Sequence, residues 1–188
     1  MSLKIALFAS GSGSNAENIV RYFANNQHFI FPLIVSNKSD AFVHQRAKNL
    51  EIPSVTFAKQ QFESGSEIVA LLHAYKVDAI VLAGFLLKIP EAILHAFPSK
   101  IVNIHPALLP KYGGKGMYGD RVHQAVKAAG ENESGITIHY VNEQYDAGNI
   151  IFQAKCAVNE GDTVDDIAAK VHDLEYKYFP EVIQTIWG

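Results

Sequence analysis

Unbroken apolar runs alternating with amphipathic stretches organise the first half of the chain. Ile5-Ala6-Leu7-Phe8 is a continuous apolar run that ends in a Gly/Ser loop, as expected of a strand covered on both faces in a parallel sheet. Residues 15–25 predict a helix with Ile19, Val20 and Phe23 on one face. A second strand is expected over residues 29–35, although Pro32 within it counts against a fully paired central position. Residues 41–50 read as a helix that stops ahead of Pro53, because the residue before a proline is pushed out of the helical region. Residues 55–57 make a short third strand, 66–75 a helix, and 78–82 another continuous apolar strand. Pro90 opens a short helix over 90–97 from the first-turn position it favours, and 101–105 is the fifth strand.

After Pro106 the pattern changes. Residues 108–119 form a glycine-rich loop (Gly113, Gly114, Gly116, Gly119) that leads into a helix over 121–129. Residues 135–141 alternate, with Ile136, Ile138 and Tyr140 facing one way and Thr137 and His139 the other. Residues 150–158 supply the hairpin partner. A long helix over 163–187 carries Ile167, Val171, Leu174 and Phe179 near helical spacing, with a kink expected at Pro180. The predicted fold is α/β: a Rossmann-like open, mostly parallel twisted sheet with helices on both faces, followed by a C-terminal β-hairpin and the long helix. In such sheets ligands bind beyond the carboxyl ends of the strands, where Ser10, Ala83 and His105 fall.

Composition narrows the partners. The 188 residues fit one domain, and 48% apolar with 19% charged residues is ordinary for a globular protein. A net charge of −3 with dispersed basic residues gives no surface for a polyanion, so nucleic acid is not an expected partner. The single cysteine, Cys156, excludes an internal disulfide and suits a reducing compartment. The start of the chain shows no secretory signal, and no apolar run reaches the roughly 20 residues that span a bilayer. A cytoplasmic protein without membrane contact is expected, either monomer or homodimer. The eight histidines are scattered, without metal-ligand spacing, so no metal is expected.

Three residues carry the candidate chemistry. Asn103 and His105 lie two apart at the end of the fifth strand and so point to one face. Asp146 sits in Tyr145-Asp146-Ala147-Gly148, which breaks two strand-like runs. An amide donor, an imidazole and a carboxylate suit a reaction through a tetrahedral oxyanion. Singly, each has a plainer explanation as a turn former or loop residue. The opening Gly11-Ser12-Gly13-Ser14-Asn15-Ala16 matches the dinucleotide fingerprint between a strand and a helix. A dehydrogenase would also need an acid at the end of the second strand, but that strand ends Val35-Ser36-Asn37-Lys38, and Asp40 comes too late. A single sugar phosphate needs only the backbone N–H groups at the helix start.

The string NIHPALLPKY with the downstream Asp-x-Gly, the segment Ala83-Gly84-Phe85 and the opening SGSGSN together resemble the folate-dependent formyltransferases over nearly the whole chain. The opening loop and short length select the branch that formylates glycinamide ribonucleotide in purine synthesis. The resemblance implies a single domain over residues 1–188, with a phosphate-binding half (about 1–105) and a folate and catalytic half (about 106–188). It implies 10-formyltetrahydrofolate as co-substrate, with direct attack of the ribonucleotide amine on the formyl carbon. Asn103, helped by His105, would stabilise the oxyanion; His105 would protonate the departing folate nitrogen, and Asp146 would take the amine proton. Gly11, Ser12, Gly13, Ser14 and Asn15 would hold the phosphoribosyl end, with His172, Asp173, Leu174 and Glu175 on the final helix reaching the ribose. Leu86, Leu87, Lys88 and Ile89 would form one wall of the folate slot, and Asn142, Glu143, Gln144 and Tyr145 the other, with Asn103 and Asp146 at its reactive end. His139 matches a supporting histidine of the family.

There are departures. Leu87 stands where relatives often carry arginine, with Lys88 beside it, and the loop KYGGKGMYGD is longer than the common KYPGLH form. A tRNA-directed member would need a further domain and a basic patch, and a hydrolase an N-terminal regulatory module. A nucleotide-sugar formyltransferase, or a non-catalytic nucleotide-binding module using only the opening loop, are the remaining alternatives.

Overall fold

The computed structural model describes residues 2–188. In chain order the elements are β1 (Leu3–Phe8), α1 (Ser14–Tyr22), β2 (Phe29–Ser36), α2 (Val43–Asn49), β3 (Ser54–Thr56), α3 (Lys59–Ser64), α4 (Ser66–Ala74), β4 (Ala79–Leu82), α5 (Glu91–Ala96), β5 (Ile101–His105), α6 (Asp120–Ala128), β6 (Glu133–Tyr140), β7 (Ile150–Ala157) and α7 (Val164–Trp187). The strands form one sheet in the order β3-β2-β1-β4-β5-β6-β7. Two compact units divide the chain, one running through Asn103 and taking in Trp187 and Gly188, the other covering Ile104–Ile186.

In the first unit β1 pairs in parallel with β2 and β4, β2 with β3, and β4 with β5. Ile5, Ala6, Leu7 and Phe8 are all fully buried, which is why β1 reads as an unbroken apolar run. β2 is an internal strand despite Pro32. The β1–β2 register jumps from Lys4↔Ile30 to Ala6↔Leu33, so Phe31 and Pro32 share the place opposite Ile5. A bulge there accommodates a residue that has no N–H to donate.

The sequence reading missed α3. Its Gln61 side chain accepts from the Ala58 N–H at 2.8 Å, which fixes the first turn. The helix buries Phe62 against Phe85, with ring centroids 5.0 Å apart, and Phe8 packs on Phe85 at 5.4 Å. These rings support the segments that follow β1 and β4, where the strand order reverses. There the Ser10 N–H donates to the Gly84 carbonyl at 3.0 Å, and the Leu86 N–H donates to Ser10 Oγ at 2.9 Å. A strand-order reversal of this kind opens the crevice in which open α/β sheets bind ligands.

In the second unit β6 and β7 pair antiparallel from Glu133↔Ala157 to His139↔Ile150, with a register shift between Ile138 and His139. Alternation suggested a polar face on β6, yet Thr137 and His139 are buried as completely as Ile136 and Ile138. The polar side chains are retained because each has partners. Thr137 Oγ1 donates to the Ala107 carbonyl at 2.7 Å and accepts from the Leu109 N–H at 3.0 Å and from Gln153 Nε2 at 2.8 Å. One hydroxyl thus ties the segment after β5 to the hairpin. α7 starts with reciprocal bonds, the Thr163 N–H to Asp166 Oδ2 at 2.8 Å and the Asp166 N–H to Thr163 Oγ1 at 3.1 Å. It then runs as one helix through the buried Pro180.

Thr137→Val keeps the shape of the side chain but leaves the buried Leu109 N–H without its acceptor. Urea denaturation should show a loss of about 2 kcal/mol, the cost of an orphaned buried polar group; an unchanged midpoint would contradict the network.

Candidate active site

The opening loop belongs to the first unit. Gly13 has φ +72°, and a Cβ there would lie 2.3 Å from Val43 Cγ2, so the turn into α1 requires glycine. The Val43 N–H donates to the Gly11 carbonyl at 3.1 Å. Arg46 Nε donates to the Ser12 carbonyl at 2.8 Å, while its Nη1 pairs with Glu17. Glu17 also meets Arg21 at 2.7 Å, and these two arginines hold its carboxyl below the ordinary range. The acid in the first turn of α1 is therefore neutralised, and the turn's N–H groups keep their pull on an anion. Ser14 opens α1, and Asn15 is buried on it.

His105, His139 and Asp146 cluster in the second unit. His105 ends β5, is 3% exposed, and its Nε2 lies 2.7 Å from the Tyr112 carbonyl. Its Nδ1 stands 3.5 Å from Asp146 Oδ2. Asp146 Oδ1 lies 3.7 Å from His139 Nε2, while His139 Nδ1 is 2.9 Å from the Tyr140 carbonyl. The Gly114 N–H donates to Asp146 Oδ2 at 2.9 Å. Asp146 itself has φ +53°, an uncommon backbone state for a residue with a side chain. The following Gly148 must be glycine, since a Cβ there would sit 1.7 Å from the Tyr140 carbonyl oxygen. The Asp-x-Gly motif is thus a turn whose glycine permits close backbone approach and whose aspartate is turned onto two imidazoles.

These contacts assign protons. A carbonyl only accepts, so His105 must carry hydrogen on Nε2 and His139 on Nδ1. The remaining nitrogen of each ring faces Asp146. Burial pushes the His105 imidazole below its ordinary value, outweighing the attraction of Asp146. Burial also raises the Asp146 carboxyl, but His139, His105 and the Gly114 N–H together hold it below the usual range. At neutral pH the pair is a neutral imidazole beside a carboxylate, a basic site one proton short of a stable imidazolium–carboxylate pair. Asn103 lies two residues before His105 on β5 and is half-buried. Strand periodicity gives the two the same face.

The other expected site residues divide clearly. Glu175 is 5% exposed and meets His172 Nδ1 at 2.9 Å, while Asp173 is exposed and Leu174 half-buried. The Glu175 contact raises the His172 imidazole. Leu86 and Lys88 are exposed, Leu87 is half-buried, and Ile89 is core. Asn142, Glu143, Gln144 and Tyr145 form an exposed turn in which the Gln144 N–H donates to Asn142 Oδ1 at 2.9 Å. Cys156 is half-buried on β7, and burial pushes its thiol up, away from nucleophilic use. Among the described residues no cluster of His, Cys, Asp or Glu is arranged to hold a metal ion. Nor is any helix among them long and apolar enough to cross a membrane.

Arg46, Tyr112 and His123 had no role expected from the sequence, and Ser10 only a place beyond a strand end. Ser10 and Tyr112 lie within SGSGSN and NIHPALLPKY, but the contacts that they and Arg46 make with backbone groups leave no sign in the sequence. His123 had a faint signal, a histidine on the apolar face of α6 between Val122 and Val126. It is 2% exposed, its Nδ1 has no hydrogen-bond partner, and burial lowers its imidazole.

These shifts fix how stability depends on pH. His105 and His123 sit below the ordinary 6.5, so the unfolded chain takes up their protons first as the pH falls. Their contribution is complete above about pH 6.5 and is lost through and below it. Asp146 adds a further loss below the ordinary carboxylate value. His172, half-exposed and raised, works weakly the other way. Urea unfolding should give a free energy that falls from about pH 7 to about pH 5, with a shallower slope in His123→Leu. A slope unaltered by that substitution would contradict the assignment.

Residues 3–183 match the formyl transferase family. A chloroplastic phosphoribosylglycinamide formyltransferase of Arabidopsis thaliana is 42% identical across 97% of this chain. The chain spans 65% of that relative's length, and 60% of the corresponding Vigna unguiculata protein. The phosphoribosylglycinamide formyltransferase of Bacillus subtilis is 40% identical over 98% of this chain and 95% of its own. A crystal structure of glycinamide ribonucleotide transformylase 1 from Geobacillus kaustophilus superposes with TM-score 0.91 at 32% identity, covering 100% of both chains. That of phosphoribosylglycinamide formyltransferase from Streptococcus pneumoniae gives 0.88 at 34% identity, covering 99% of each. With a family match over nearly its whole length, the chain belongs to the formyl transferase family.

Proposed function

We propose that this protein transfers the formyl group of 10-formyltetrahydrofolate to the amine of glycinamide ribonucleotide, yielding formylglycinamide ribonucleotide and tetrahydrofolate. The observation that carries the reading is the His105–Asp146 pair, with Nε2 of the imidazole committed to a carbonyl and Nδ1 facing the carboxylate at 3.5 Å. The names of the similar proteins point to the same reaction. The chain acts as a single formyltransferase domain in the cytoplasm, as monomer or homodimer.

The amine attacks the formyl carbon, leaving a positive charge on nitrogen and a negative charge on the former carbonyl oxygen. Asn103 donates its amide hydrogen to that oxyanion; one such donor is worth roughly 3–4 kcal/mol. The proton leaving the amine passes to the His105–Asp146 pair, at His105 Nδ1, where Asp146 stabilises the imidazolium. The oxyanion then collapses to the new formamide, the bond to the folate nitrogen breaks, and His105 returns the proton to that nitrogen. Histidine thus becomes the acid only after acting as the base, in keeping with the direction in which burial moves its imidazole. Gly11, Ser12, Gly13, Ser14 and Asn15 take the phosphate on the backbone N–H groups at the start of α1. His172, Asp173, Leu174 and Glu175 recognise the ribose. Leu86, Leu87, Lys88 and Ile89 are candidate folate contacts, as are Asn142, Glu143, Gln144 and Tyr145.

The test follows release of deformylated 10-formyl-5,8-dideazafolate by absorbance, omitting each substrate in turn. Turnover should require both substrates. Deformylation without the ribonucleotide would make the protein a hydrolase, and no turnover with it would leave a different amine acceptor. Asp146→Asn keeps shape but removes the charge, and should lower kcat by about 10²–10⁴-fold, the usual range for a general acid–base group. A variant within threefold of the parent would contradict the assigned role.

A further inference from the structure

We infer that Glu131 is a positioning residue for the reactive pair, acting through Tyr112. The inference rests on the roles of His105 and Asp146 given above. Glu131 lies between α6 and β6, and its Oε1 accepts from both the Tyr112 hydroxyl and Lys111 Nζ, each at 2.9 Å. The backbone carbonyl of that same tyrosine holds His105 Nε2 at 2.7 Å. Two residues on, the Gly114 N–H holds Asp146 Oδ2 at 2.9 Å. One short segment therefore fixes the proton on His105 and the orientation of Asp146, and its outer end is fastened to Glu131.

The fastening is needed because the segment does not hold itself. Tyr112 has φ +56°, a left-handed state that is unfavourable for a residue with a side chain. Gly113 packs so closely that a Cβ there would lie 2.5 Å from Leu109 Cδ2 and 3.3 Å from Asp146 Cβ, leaving no slack for a shifted peptide. The Lys111–Glu131 pair alone would be an ordinary surface ion pair, with the lysine 66% exposed and worth little. The tyrosine bond differs: Tyr112 is half-buried, and with Leu108, Pro110, Val126 and Glu131 it lines a cavity of about 230 Å³ in the second unit. If Glu131 lets go of the ring, the peptide that carries the His105 acceptor is free to turn, and a reactive group displaced by about 1 Å can cost on the order of 10²-fold in rate.

Glu131→Ala, Glu131→Gln and Tyr112→Phe should be measured beside His105→Ala and Asp146→Asn. The readouts are kcat, both KM values, and the exchange rate of the His105 Nε2 proton by ¹⁵N-resolved NMR. Glu131→Ala and Tyr112→Phe should lower kcat by about 10–100-fold, change either KM less than threefold, and speed exchange of the Nε2 proton at least tenfold. Glu131→Gln keeps an oxygen acceptor for the tyrosine, and should restore kcat to within about threefold of the parent. The inference is overturned if Glu131→Ala and Tyr112→Phe stay within twofold in kcat. It is overturned equally if kcat falls while the Nε2 proton exchanges as in the parent, or if the glutamine variant is as slow as the alanine. Retained activity in Asp146→Asn or His105→Ala would instead break the catalytic assignment, and the exchange measurement would still decide whether Glu131 sets the imidazole.

Discussion

The carbonyl of Tyr112 places the strictest constraint on this structure. By accepting from His105 Nε2 it settles which nitrogen of a buried imidazole carries hydrogen and which faces Asp146. A histidine free to choose its tautomer would give the carboxylate a proton donor in one state and a lone pair in the other. Only the second leaves a basic nitrogen beside the carboxylate, ready to take a proton from an attacking amine. His139 repeats the arrangement from β6, its Nδ1 committed to the Tyr140 carbonyl. Asp146 thus stands among two rings and the Gly114 N–H, and its carboxyl is held below the usual range in spite of burial.

Much of the local architecture of the second unit serves that constraint. Thr137 would be a liability on a buried strand, but its hydroxyl organises the residues that follow β5 and so sets where residue 112 can be. A register shift falls beside His139, whose Nε2 lies 3.7 Å from Asp146 Oδ1. Gly148 lets that turn approach Tyr140. In the first unit a different economy applies. The opening loop presents backbone N–H groups, and Arg46 and Arg21 cancel the one acid that would repel an anion there.

What could be read from the sequence follows from what depends on neighbouring residues. β1 and β4 were legible because burial on both faces forces continuous apolar runs, and Asn103 and His105 were legible because strand alternation alone gives them a common face. Pro32 misled in part, since a bulge is a tertiary solution that leaves no local sign. α3 was missed because six residues with one buried phenylalanine carry too little periodicity. His139 falls on the polar side of the alternating strand; its burial depends on what packs over β6, which alternation cannot reveal. The roles of Tyr112 and Arg46 escaped because they run through backbone carbonyls, and no residue identity records where a peptide plane points.

The tautomer of His105 is the most direct point of test. Imidazole ¹⁵N chemical shifts of the free protein at neutral pH distinguish a protonated from an unprotonated ring nitrogen. The account predicts a neutral ring with hydrogen on Nε2 and a bare Nδ1. Hydrogen on Nδ1 with a bare Nε2, or a ring already protonated on both nitrogens, would contradict it.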